Sequence, residues 1–176
     1  IPGRGNMDFQ IKELPSIVYS LQKEWFKNKS ILKEIASSEV ILFLVPASSF
    51  GYKQEISFFR ELIKSDYYTN QHVVICLSKS DYLLLDDNCK NVELNSVAKL
   101  LQISNTLYNA FSKDLTQESF SCDSIIPVSV PLDWNYEMLK EKLWEGVIEK
   151  TNETTFDKKA PTIVIAGKRG CGKSTT

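Results

Sequence analysis

The residues whose types and spacing could do chemistry lie in the last stretch of the chain, "APTIVIAGKRGCGKSTT". Gly167, Gly172, Lys173 and Ser174 keep the spacing of a phosphate-binding loop, and the apolar β-branched run "TIVIAG" leads straight into it. The spacing has a physical reason. Glycines let the backbone curl until successive N–H groups face a phosphate chain, and Lys168, Arg169, Gly170 and Cys171 sit between them in the same loop. Lys173 is the candidate catalytic residue, placed to stabilise charge on the β and γ phosphates. Ser174 is the candidate magnesium ligand through its hydroxyl, and Thr175 continues the phosphate-contacting run.

A phosphate loop does not choose a base. "LSKSD" supplies a candidate reader: Ser78, Lys79, Ser80 and Asp81 follow the apolar run ending at Leu77, where a parallel sheet presents its ligand edge. A carboxylate at Asp81 can accept hydrogen bonds from the ring N–H and the exocyclic amine of guanine, a pair of donors that adenine does not present. Cys171 inside the loop reads as a small residue that fits rather than as a nucleophile. His72, the one histidine, opens a strand, and a general-base role for it is the weaker reading.

These residues need a sheet to hold them. Four short apolar runs read as nearly continuous buried strands: Val40 to Val45, His72 to Leu77, Ser124 to Val130 and Thr162 to Gly167. Amphipathic patterns lie between them, on Ile56, Phe59, Leu62 and Ile63, on Val97, Leu100, Leu101, Leu107 and Phe111, and on Tyr136, Leu139, Leu143 and Val147. The fold class expected is α/β, a three-layer sheet of about four mainly parallel strands, incomplete or pseudo-permuted. Residues 151–160 turn polar and read as a linker, and the stretch between Asp81 and Asp123 is long enough to carry an insertion beside its helix.

Bulk properties set the class. The 176 residues carry 43% hydrophobic and 24% charged residues with a formal net charge of −1, which gives no broad basic field for nucleic acid. The four cysteines form no C-x-x-C pair, so reduced thiols and a cytoplasmic location are expected. No apolar run reaches the roughly 18–20 residues of a membrane span, while peripheral membrane association stays open.

With the phosphate loop, "LSKSD" and "IIPVSV" in hand, the chain resembles the Era-like GTPases of the translation-factor-related class. The resemblance implies an N/T-K-x-D guanine motif, matched by Ser78, Lys79 and Asp81, and a second base-contacting motif matched by Ser129 and Val130. It also implies that Gly3 in "IPGRG" is the tail of a switch motif and donates its amide to the γ phosphate, and that "DWNYEMLKEKL" opens the final helix of the domain. Ser78 stands where the family carries Asn or Thr, whose side chain braces the phosphate loop. Val130 stands where the family carries Ala, and Gly170 where potassium-activated relatives carry Asn, so potassium dependence is not implied.

The function implied is binding of GTP and GDP with Mg2+ and hydrolysis of GTP to GDP and phosphate, with a protein or RNA partner not identifiable from the residues. Two alternatives remain open: a degenerate GTPase acting as a binding or scaffold module, and a P-loop ATPase. The order of motifs is switch, base, base, phosphate loop. It fits residues 1–150 as the back portion of one GTPase domain and residues 161–176 as the first strand and phosphate loop of a following one, better than a circular permutant. Little hydrolysis is expected from these 176 residues alone. The terminal strand is expected to dock parallel to Val40 to Val45, bringing the phosphate loop to the edge that holds Asp81 and Ser129.

Overall fold

A computed structural model describes residues 9–49, 52–84, 94–113, 115, 120–153 and 160–173. The longest apolar runs form the centre of the sheet: β2 (Val40–Pro46) and β3 (His72–Ser78) are buried at every position. Such strands exist only where both faces are covered, and the pleat sends alternate residues to opposite layers. Ile41, Phe43 and Val45 join Val73, Ile75 and Leu77 on one face, beneath α2 (Lys29–Ala36), α3 (Lys53–Ile63) and α5 (Leu94–Phe111). Val40, Leu42 and Leu44 join Val74 and Cys76 on the other, against Leu139 and Val147 of α6 (Tyr136–Glu153). The result is three layers.

Among the described residues five strands, all parallel, make the sheet, in the order β1-β5-β2-β3-β4. β5 (Thr162–Gly167) lies beside β2 with Val40 opposite Ile163 and Leu44 opposite Gly167, which is the docking expected of the terminal strand. β4 is shorter than its apolar run, Ile125–Pro127, because the chain bends there and Ser129 pairs instead with Trp134.

A fifth strand joins the four apolar runs read from the sequence. β1 (Gln10–Glu13) is polar, with Ile11 60% exposed, and carries no apolar run by which to recognise it. It forms because β5 offers an open edge, to which Gln10 through Glu13 pair in register with Thr162 through Ile165. Two short helices, α1 (Gln22–Trp25) and α4 (Asp81–Leu84), complete the six α-helices among the described residues.

Helix α2 had no counterpart in the sequence reading, although its signal is present. Asn28 caps it, its side chain accepting from the amides of Ser30 at 3.1 Å and Ile31 at 3.4 Å, and Ile31, Leu32 and Ile35 form the buried stripe. In α3, Phe58 and Phe59 sink fully into the core, Phe58 within 4.9 Å of the Trp25 ring and Phe59 within 4.6 Å of Phe111. Leu101 of α5 is 59% exposed rather than core, because Leu100, Leu107 and Phe111 share the inward face and Leu101 is turned about 100° from Leu100. Helix α6 runs through Glu153, into the segment read as a linker.

Candidate functional site

β5 delivers the chain to a tight turn. The Cys171 amide donates to the Lys168 carbonyl at 3.2 Å, and Gly170 sits at φ +75° in the third turn position, where the type II pattern requires a left-handed residue. Gly167 is needed for a different reason. A Cβ there would stand 2.6 Å from Cys171 Sγ and 3.0 Å from the Leu44 carbonyl oxygen, so only glycine lets the loop fold back onto the end of β5.

Cys171 is accordingly a packing residue, fully buried, and burial pushes its thiol pKa up against the opposing pull of Lys173. A thiol held in that state is a poor nucleophile. Lys168 is half-buried and bridged to Ile17, whereas Arg169 and Gly170 lie exposed at the tip. Lys173 is only 7% exposed. Its ammonium donates to the carbonyls of Gly167 at 3.1 Å and Lys168 at 3.3 Å and to the Ser16 hydroxyl at 2.9 Å.

The base-reading candidates meet this loop directly. Ser78, at the end of β3, donates its hydroxyl to the Cys171 carbonyl at 2.7 Å. The shorter serine side chain thus makes the brace for which the resemblance implied Asn or Thr. Lys79 takes a left-handed φ of 57°, which turns the chain so that Asp81 opens α4, and the Lys79 ammonium stands 6.0 Å from the Tyr82 ring.

Ser129 then fixes Asp81, donating to Oδ1 at 3.1 Å from a fully buried position. The Ser129–Trp134 pairing and the Asn135 side chain, which donates to the Pro127 carbonyl at 3.0 Å, hold that loop in place. Val130, 46% exposed, follows on its rim.

A cavity of about 200 Å3 lies where these segments converge, with Ser78, Lys79, Asp81 and Tyr82 on one wall, Val128, Val130 and Pro131 on another, and Cys171 and Gly172 from the phosphate loop. Apolar walls around one carboxylate suit a flat heterocycle with a donor edge. Typical pockets for whole ligands run to roughly 300–1,000 Å3, so this volume matches a ring system rather than an entire nucleotide. A larger groove of about 480 Å3 between α3 and α5 contains none of the candidate phosphate- or base-binding residues.

Gly3, Ser174 and Thr175 lie outside the described residues. Among the described residues no three His, Cys, Asp or Glu side chains gather into a metal site, and no helix is long and apolar enough to cross a membrane. His72 has a structural place. Its Nδ1 pairs with Glu149 at 2.9 Å across the β3–α6 contact, and burial holds its pKa below the ordinary value in spite of the carboxylate.

Sequence reasoning missed Ser16. It belongs to "LPSI", which has no motif, and it reaches Lys173 only because that segment prolongs β1 alongside the loop. No family model, curated protein or solved structure matches this chain.

Proposed function

We propose that the chain binds a guanine nucleotide with magnesium and serves a protein that hydrolyses GTP to GDP and phosphate. The observation that supports this most is the Ser78–Cys171 hydrogen bond, which ties the base motif to the phosphate loop so that Asp81 and Gly172 line one cavity. Asp81, oriented by Ser129, accepts from the two guanine donors. The loop amides and Lys173 hold the phosphates, for which the ammonium exchanges one of its three present acceptors. The Ser174 hydroxyl would hold Mg2+, which would offset the charge of the phosphates; few protein ligands would be needed for such an ion. Hydrolysis is then positioning and charge stabilisation with water as the nucleophile.

Calorimetry with GTP, GDP, ATP and XTP tests the reading. Asp81→Asn keeps one acceptor oxygen and turns the other into an amide donor that opposes a guanine donor, and one lost hydrogen bond to a charged group corresponds to a loss in GTP affinity of about 10- to 100-fold. XTP, whose ring carries a carbonyl in place of the amine, is expected to gain in the same variant. Loss of GTP turnover by the full-length protein on Lys173→Ala would place hydrolysis at this loop. Preference for ATP, unaltered by Asp81→Asn, would replace the reading with an ATPase.

A scaffold role is the second reading, and the internal commitment of all three Lys173 donors favours it. A folded chain that binds none of the four nucleotides would decide for the scaffold.

A further inference from the structure

Among the described residues Lys173 is held from outside its own loop by one side chain, Ser16, 157 residues away in sequence. The segment carrying Ser16 is fixed on both sides. Leu14 donates its amide to Ile165 at 2.9 Å, Ile17 donates to Gly167 at 3.0 Å, and Ile17 is bridged to Lys168. The buried Trp25 indole holds the intervening Pro15 carbonyl at 3.3 Å. Ser16 therefore stands against the phosphate loop by backbone construction, and the residue is exposed.

An ammonium group can only donate, so in the 2.9 Å contact Ser16 Oγ is the acceptor and its hydroxyl proton remains available. Among the described residues that hydroxyl donates to no protein acceptor. A cation donating to the oxygen also polarises the O–H bond and makes it a stronger donor. A polarised donor on an exposed residue beside the lysine of a phosphate loop suits an oxygen of the phosphate which that lysine would hold.

We propose that Ser16 is a phosphate-contacting residue of the nucleotide site, accepting from Lys173 and donating to the terminal phosphates. This rests on the guanine-nucleotide reading above. A latch would behave oppositely, because a hydroxyl that merely competes for the ammonium weakens binding when present.

The experiment compares Ser16→Thr with Ser16→Val in the full chain, two near-isosteric replacements that differ in the hydroxyl, alongside Ser16→Ala. Calorimetry with Mg-GTP, GMP and inorganic pyrophosphate supplies the readout, and thermal melts check the fold. One lost hydrogen bond to a charged acceptor corresponds to about 10- to 100-fold in affinity. Val and Ala variants are expected to lose that much for GTP and pyrophosphate and nothing for GMP, with Thr close to the parent. Equal or tighter GTP and pyrophosphate binding by the Val and Ala variants overturns the proposal. Pyrophosphate separates the two readings: binding of pyrophosphate without guanine preference would sink the guanine assignment while Ser16 is still judged on pyrophosphate, and binding of neither ligand would sink both.

Discussion

Ser78→Ala tests the contact that joins the two halves of the site. The substitution deletes one hydroxyl, the donor of a 2.7 Å bond to the Cys171 carbonyl. Ser78 is 6% exposed and Cys171 fully buried, so water does not replace the lost donor. Stranding a buried acceptor in this way costs about 1–3 kcal/mol. In a chain of 176 residues each kcal/mol shifts the thermal midpoint by roughly 2–4 °C, so a drop of about 2–12 °C is expected. Ser78→Thr keeps a hydroxyl at the same carbon and should recover most of it. Thermal melts followed by circular dichroism measure the midpoint, and urea titrations with an unchanged slope show that the unfolded state is not responsible. A Ser78→Ala midpoint equal to that of the parent would refute the brace, and with it the main support for a shared nucleotide site.

Two further predictions concern the β3–α6 contact. Gly146→Ala would put a Cβ 2.4 Å from His72 Cδ2 and 2.6 Å from Cγ of a buried ring, and overpacking of this kind costs about 1–3 kcal/mol, measurable by urea denaturation. His72 also makes stability depend on pH. Glu149 accepts from Nδ1, which leaves buried Nε2 without a partner among the described residues, so protonation would create a donor with none of them to receive it. The folded pKa lies below the ordinary 6.5, chiefly through burial, and the unfolded chain therefore binds the extra proton first. Stability is fully present above pH 6.5, declines as the pH falls from there through the folded value, and levels off below it; His72→Gln should flatten this window in urea titrations at a series of pH values.

Local patterns made much of this molecule legible. Val40 to Val45 and His72 to Leu77 are continuous apolar runs, and such runs need cover on both faces, which already implies a layered parallel sheet. Phe59 and Leu62, or Leu100 and Phe111, reveal a helix because one face repeats every three to four residues. The phosphate loop was legible because its demands are local: Gly170 at a positive φ and Gly167 without a Cβ answer to the turn itself.

What only tertiary structure decided are contacts whose partners lie far apart in the chain. β1 carries three polar residues and a single exposed isoleucine with no strand signal of their own, and it pairs because docking β5 against β2 leaves an edge open. Whether serine at position 78 could brace the loop depended on the separation between the end of β3 and the Cys171 carbonyl, a distance set by strand order and not by residue type. Ser16 has no motif at all, and its place beside Lys173 follows from the same pairing of β1 with β5. Periodicity records which face of an element is buried; it carries no record of which neighbour buries it, and that neighbour determines which side chains meet.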